Sequence, residues 1–327
     1  MKTSSRGPLG YCHASGTAIQ PSDTHFRCAD CGELFLEQYR FEDKPVCQSC
    51  AFKSGMAQQL EQERAEQQRQ REAEEKKTRE ADERRQAEQQ KQKLGIGDSD
   101  WADIPAGEFL MGSPESEQKR STNERQHRVK VQAFQMLKTP VTFAMFDSFC
   151  EATVRSKPKD EGWGRADRPV INVSYWDAVD YCEWLSEQTG DQIRLPTEAE
   201  WEYACRASAT TAYWYGDEPD HGRMHCSKEG LGDAKQTKPV GLYEANSWGF
   251  KDMHGNIFEW CASELDNSYQ DLEQRSAMTD RTNENCRVLR GGSWWDTPVR
   301  ARSASRLGLK PDYGPRYGGF RIARIQL

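Results

Sequence analysis

The pattern of apolar and polar positions changes twice along the chain. Up to about residue 53, short apolar pieces stand among paired cysteines. From Gly55 to Leu94 apolar residues almost vanish. Met56, Leu60 and alanines such as Ala65, Ala73 and Ala81 are set among Glu, Gln, Arg and Lys, with no glycine or proline before Gly95. These residue types favour helix, and Glu72 with Lys76, Glu75 with Arg79, and Glu80 with Arg84 put an acid one turn before a base. The pattern predicts a long polar helix over residues 54–95, on the order of 50–60 Å if fully formed at 1.5 Å per residue. Its alanines step by eight and drift off a heptad, so no continuous coiled-coil seam is offered. A semi-rigid spacer and a homodimer through the helix both stay open.

Residues 100–327 show a third texture, many short apolar clusters broken by Gly, Pro, Asn and Asp. Two helices stand out. One runs from Ser174 to Glu187, opened by a capping serine, with Trp176, Val179, Cys182 or Trp184, and Leu185 on one face. The other opens at Thr197, where Thr197 and Glu200 form a capping box after Pro196. The remainder reads as loops and short strands. A loop-rich domain of this kind needs staples, and buried tryptophans and metal ions are the expected ones.

Composition sharpens the division. Hydrophobic residues make up only 35% of the 327 because the middle segment is almost wholly polar, and all ten tryptophans lie from Trp101 onward. One globular core is expected, and it belongs to the last segment. The net charge of −7 argues against nucleic acid as a partner, since phosphate binding needs clustered Lys and Arg. No apolar run is long enough for a signal peptide or a membrane span, so no membrane association and a cytoplasmic location are expected.

Four of the eleven cysteines form two matched pairs, Cys28 with Cys31 and Cys47 with Cys50, two residues apart within each pair and fifteen between the pairs. Two tight turns that each present two thiolates close a tetrahedron, which points to structural zinc; a pair of disulfides is the alternative. Read with His25 and Lys44-Pro45-Val46, the segment resembles the second zinc module of a LIM domain. The first module is broken: Cys12 and His25 have no complete set, because Ser15 and Ser22 stand where ligands belong. Residues 1–53 are therefore expected to hold one zinc ion, and the resemblance implies docking to a protein.

The last segment carries an ordered series of motifs: Ile104-Pro105-Ala106-Gly107-Glu108-Phe109-Leu110-Met111-Gly112, Pro140-Val141-Thr142, Arg194-Leu195-Pro196-Thr197-Glu198-Ala199-Glu200-Trp201-Glu202, Asp252-Met253-His254-Gly255-Asn256-Ile257-Phe258-Glu259-Trp260, Arg290-Gly291-Gly292-Ser293-Trp294, and Gly319-Phe320-Arg321. Together they resemble the sulfatase-modifying-factor family, to which formylglycine-generating enzyme belongs. The resemblance implies a loop-rich α+β fold related to C-type lectins. It also implies calcium bound by Asp252 and Glu259 carboxylates and by the Gly255 and Ile257 carbonyls, hard oxygen donors suited to that ion. A second family calcium site near Arg223 to Cys226 lacks its usual asparagine and is not expected.

In formylglycine-generating enzyme, two cysteines after the Gly-Gly-Ser motif bind copper(I) and activate oxygen, a task for soft thiolates. Asp296 and Ala301 stand at those positions here, so no copper is expected there and no catalytic residue is assigned. Cys261 and Cys286 read as small apolar fillers. The iron-dependent branch of the family uses a helical domain absent from this sequence, which leaves a cryptic site from His221, His225 and His254 as a remote option.

Two functional readings follow. In the first, the domain is a protein- or ligand-binding module, with a face made by Trp294, Trp295, Asp296, Arg300, Arg302, Arg306, Tyr313, Arg316 and Tyr317, because aromatic and Arg residues anchor interfaces. The same segment resembles the variable region of retroelement-diversified lectin folds. The second reading is a protein-modifying oxidoreductase that uses a metal site not visible in these motifs. A formylglycine product on a sulfatase-type peptide separates the two.

Overall fold

The computed structural model describes residues 10–11, 18–19, 24–29, 31–37, 40–41, 44–48, 50, 56–228, 234–269, 271–276 and 281–325. Cys12, His13, Ser15 and Ser22, which bear on the broken first zinc module, lie outside them. Contacts divide the chain into two units, residues 1–84 and 85–327.

The first unit holds three small antiparallel ribbons. They pair β1 (Gly10–Tyr11) with β2 (Ala18–Ile19), β3 (His25–Arg27) with β4 (Leu34–Leu36), and β5 (Arg40–Phe41) with β6 (Lys44–Cys47). Ribbons this short do not persist in water on their own. Helix α1 follows over Met56–Lys93. Of residues 58–86, only Leu60 is even half-buried. Ion pairs Lys76–Glu80 at 3.8 Å and Arg79–Glu83 at 3.7 Å bridge its turns, with the base before the acid. That order is the reverse of the expected one and the weaker of the two orientations.

The second unit is mixed α and β. Strands β7 (Trp101–Ile104), β10 (Phe134–Leu137), β11 (Gln192–Arg194) and β16 (Ala323–Ile325) form an antiparallel sheet in the order β11-β16-β10-β7. The last strand thus pairs near the start of the domain. A second sheet, ordered β14-β13-β12-β15, uses β12 (Phe258–Glu264), β13 (Arg287–Arg290), β14 (Arg306–Leu309) and β15 (Gly318–Phe320), with β12 and β15 parallel. Strands β8 (Gly107–Met111) and β9 (His127–Val131) make a separate hairpin.

Three helices pack on these sheets. Helix α3 (Tyr175–Thr189) begins as the sequence indicates: the Ser174 side chain accepts from the Asp177 amide and Asp177 returns the bond. It stops at Gly190, which takes a left-handed φ of 76°. Helix α4 (Glu198–Arg206) has the reciprocal Thr197–Glu200 box; such caps contribute about 1 kcal/mol. Helix α2 (Phe143–Ala152), capped by Thr142, is absent from the sequence reading. Its signal was there: Phe143, Phe146, Phe149 and Cys150 fall on one buried face. Phe146 and Phe149 meet Tyr181 of α3, with Phe146 stacked on it at 5.6 Å, and Phe320 closes the cluster edge-on.

Among the described residues no cysteine is in a disulfide, and Cys261 is fully buried while Cys286 is only half-buried. The staples are different. Trp201, Trp260 and Trp294 are buried to within about 1% exposure, and beside them run arginine–glutamate pairs. Arg290 is fully buried, pairs with Glu202 and Glu198, and donates to the carbonyls of Ser303, Ala304 and Ser305. Arg206 joins Glu202 at 2.8 Å to the carbonyls of Gly112 and Thr211. A guanidinium with five donors satisfies a carboxylate and several loop carbonyls together, which solves the accounting problem of buried irregular backbone.

Candidate functional site

Strand β13 leads into a turn that packing dictates residue by residue. Gly292 has φ 70°, and a Cβ there would sit 2.8 Å from the Ala301 backbone, so the chain doubles back against the short helical turn Pro298–Ala301. Ser293 donates to the Asp296 carboxylate, and the Asp296 carbonyl accepts from the Ser227 amide at 2.8 Å. Burial raises the Asp296 pKa, while the Ser293 bond and Arg300 act against the rise.

Around this turn the nine expected face residues separate into two groups. Arg302 and Arg306 do not belong to the face. Each is 4% exposed, Arg302 forked onto Glu124 with both bonds at 2.8 Å and Arg306 onto Glu198 at 2.6 and 2.7 Å. Trp294 is also interior, at 1% exposure. For the two arginines the physical reason is the same: loops crossing here bring buried carboxylates and carbonyls that need a fixed cation. Trp295, Asp296 and Tyr317 are half-buried, and Arg300, Tyr313 and Arg316 are exposed. Arg316 lies 4.8 Å over the Trp295 ring and 5.6 Å over Trp294, and Trp163 meets Trp294 edge-on at 5.0 Å. Trp163 escaped the sequence reading because it comes from a distant loop; its signal was a tryptophan flanked by Gly162 and Gly164, both at positive φ.

The same turn borders an open cavity of about 790 Å³, where Pro298 and Val299 face Tyr213, Asp217, Lys119 and Lys228. Ala301, at one of the two positions where the resemblance places an oxidase thiol, is fully buried in a small apolar cluster with Ala212, Tyr213, Met224 and Cys226. Its carbonyl accepts from His254 Nδ1 at 2.7 Å, and the Trp214 amide donates to His254 Nε2 at 3.1 Å. Those two bonds require a proton on Nδ1 and none on Nε2. Burial lowers the His254 pKa to about 4, so the ring is a neutral structural bridge. His225 Nε2 bonds the Gln236 carbonyl at 2.8 Å. Among the described residues no three-histidine group converges; the one group of three or more His, Cys, Asp or Glu that could hold a metal is the four-cysteine set.

In that set, the Sγ atoms of Cys28, Cys31, Cys47 and Cys50 lie within 4.8 Å of one another. The Cys47 amide points at Cys28 Sγ (3.3 Å) and the Cys50 amide at Cys47 Sγ (3.4 Å), so two backbone donors are aimed at sulfur.

The Asp252–Glu259 turn is partly suited to calcium. Asp252 Oδ2 accepts from the Gly241 amide at 2.6 Å, whereas Oδ1 is buried without a partner. Burial raises the Asp252 pKa, and a cation at Oδ1 would relieve that cost. Glu259 already has partners. Arg321 forks onto it at 2.7 and 2.8 Å, and Trp201 Nε1 adds a bond at 2.7 Å to Oε2. A divalent ion at Glu259 would compete with a guanidinium already in place. Gly255 is needed for steric reasons, since a Cβ there would lie 2.3 Å from the His225 carbonyl oxygen; its own carbonyl accepts from the Ile257 amide at 2.9 Å.

A family model described as the sulfatase-modifying factor enzyme 1-like domain matches residues 85–326. The chain belongs to this family. It is 29% identical over 294 residues to the formylglycine-generating enzyme of Mycobacterium tuberculosis, covering 67% of this chain and 95% of that protein. It is 34% identical over 169 residues to the inactive C-alpha-formylglycine-generating enzyme 2 of Bos taurus, covering 47% of this chain and 50% of the relative. Among solved structures, PvdO from Pseudomonas aeruginosa superposes with a TM-score of 0.63 at 28% identity, over 69% of this chain and 94% of that one. Treponema denticola variable protein 1 shares the fold alone, at a TM-score of 0.54 and 20% identity over 69% and 95% of the two chains. The matched region thus has relatives named as formylglycine-generating enzymes and one named as inactive. Among the described residues of this sulfatase-modifying-factor domain, no helix is long and apolar enough to cross a membrane.

Proposed function

We propose that this chain is a non-oxidase member of the sulfatase-modifying-factor family, working as a protein- or ligand-binding head joined to a zinc-bearing docking module. One observation carries the reading: Ala301 offers no donor atom and is sealed in an apolar cluster, while Asp296 is engaged by Ser293. A thiol pair that activates oxygen has no counterpart at this turn. What the turn does offer is surface of the kind that anchors partners, with Arg300 and Arg316 exposed near the half-buried Trp295 and a cavity of ligand size beside it. The partner is a protein or a small ligand that stacks on Trp295 and meets the Arg300 and Arg316 charges.

Co-expression with a sulfatase-type cysteine peptide tests the proposal. The peptide is expected to keep its cysteine by mass spectrometry, and a formylglycine product overturns the reading. The zinc assignment is separate. Metal analysis is expected to find about one zinc per chain, lost in Cys28→Ser while residues 85–327 keep their melting transition; equal zinc in wild type and variant counts against it.

A further inference from the structure

Loop residues 220–227 bring together three donors that neither the aromatic face nor the four-cysteine set uses. Cys226 Sγ lies 3.2 Å from Met224 Sδ and 3.8 Å from His221 Nδ1. Met224 and Cys226 are 1% and 3% exposed within the Ala301 cluster, and His221 is half-buried, so the group has an apolar floor and an accessible side. The backbone explains the convergence. Residues 224 and 226 share one side of the chain because successive side chains alternate in extended backbone, and His225 between them reaches the Gln236 carbonyl instead.

The segment is held at both ends. The Asn256 amide bonds the His225 carbonyl at 2.7 Å and the Ser227 amide bonds the Asp296 carbonyl at 2.8 Å. Before it, Asp220 accepts from the amides of Gly222 and Arg223 at 2.7 and 2.9 Å, closing the turn that carries His221. Backbone bonds thus hold the segment from both ends, and the three side chains also meet one another.

Thiolate and thioether are soft ligands that select copper(I) over hard cations, and imidazole is compatible with it. Charge favours the same choice. A monovalent ion on one thiolate is neutral, which suits an apolar cluster where a net charge is costly; a divalent ion would leave one positive charge, with Arg223 next in the loop. We propose that His221, Met224 and Cys226 form a binding site for one soft monovalent metal ion of the copper(I) class.

The test is an anaerobic titration of the zinc-loaded full chain with copper(I) against a chromogenic copper(I) chelator, with zinc release followed in parallel. One equivalent of copper is expected to enter without releasing zinc. Cys226→Ala is expected to lose that equivalent, and Met224→Leu, which keeps the side-chain volume, to weaken it by more than about tenfold. Near-UV circular dichroism checks that both variants stay folded, and Met224→Leu decides the matter if Cys226→Ala does not. Copper uptake only with matching zinc release, or uptake unchanged in a folded variant, overturns the proposal. The readout is binding alone, so its failure is distinguishable from a formylglycine product that would overturn the binding-head reading.

Discussion

Helix α1 and the interior of the main domain are both rich in Glu and Arg, and they use them in opposite ways. On α1 the charges face solvent, and its pairs meet at 3.7 and 3.8 Å with more than half of each side chain exposed. Inside the domain, Arg302, Arg306 and Arg321 each fork onto one carboxylate at 2.6–2.8 Å with almost no exposure. Exposed pairs gain little because water already solvates both partners. Buried ones cannot be separated without stranding a charge, so they specify which loop crosses which. Identical residue types thus keep a helix soluble in one region and hold irregular backbone together in the other.

Acid is expected to separate the two regions most strongly. Burial by itself would raise the Glu202 pKa, but Arg206 and Arg290 outweigh it and the net shift is downward. A carboxyl lowered in the folded state stabilises the fold above its unfolded value, about 4.3 for glutamate, and that stabilisation disappears as the pH falls through the folded value. Denaturant titrations from pH 7 downward are expected to show residues 85–327 losing stability below the ordinary glutamate range; a flat profile there would mean that the buried pairs do not depend on ionised Glu202.

Next in size is Arg306→Ala, which leaves Glu198 with only the Arg290 contact at 3.4 Å and the Asn123 and Asp266 carbonyls without this donor. The expected loss is about 3–5 kcal/mol, read from urea unfolding. A loss below 1 kcal/mol would show that the pair ranks with the surface ones. A smaller effect, about 1 kcal/mol, is expected for Thr197→Ala at the cap of α4, measured the same way. Smallest is Arg79→Ala on α1, expected to change helicity or stability by no more than about 0.5 kcal/mol and to lose even that in high salt; circular dichroism at two ionic strengths checks it.

Local chemistry was legible wherever a neighbour in sequence supplies the partner. The Ser174–Asp177 and Thr197–Glu200 caps close over three residues, and the CxxC spacings bring two thiols together in one turn. Helix α2 was missed because its apolar face is crowded with three phenylalanines that also suit a strand, and period alone does not decide so short a run. Arg302 and Arg306 looked like surface anchors since a sequence shows that an arginine is present but not that Glu124 and Glu198, more than 100 positions away, wait to receive it. The sequence likewise does not show that Glu259 receives Arg321, which stands 62 residues further on. The donors at Cys226 were overlooked because a thioether is silent in sequence until it lies beside a thiol.

By itself, then, the sequence determined the family, the capped helix starts and the paired cysteines, since each depends on residue identity or on neighbours a few positions apart. The tertiary structure alone decided which arginines are interior, that Glu259 receives Arg321, and that Trp163 packs on the buried Trp294. Those outcomes depend on which distant loops cross, and on the requirement that every buried charge and carbonyl there find a partner.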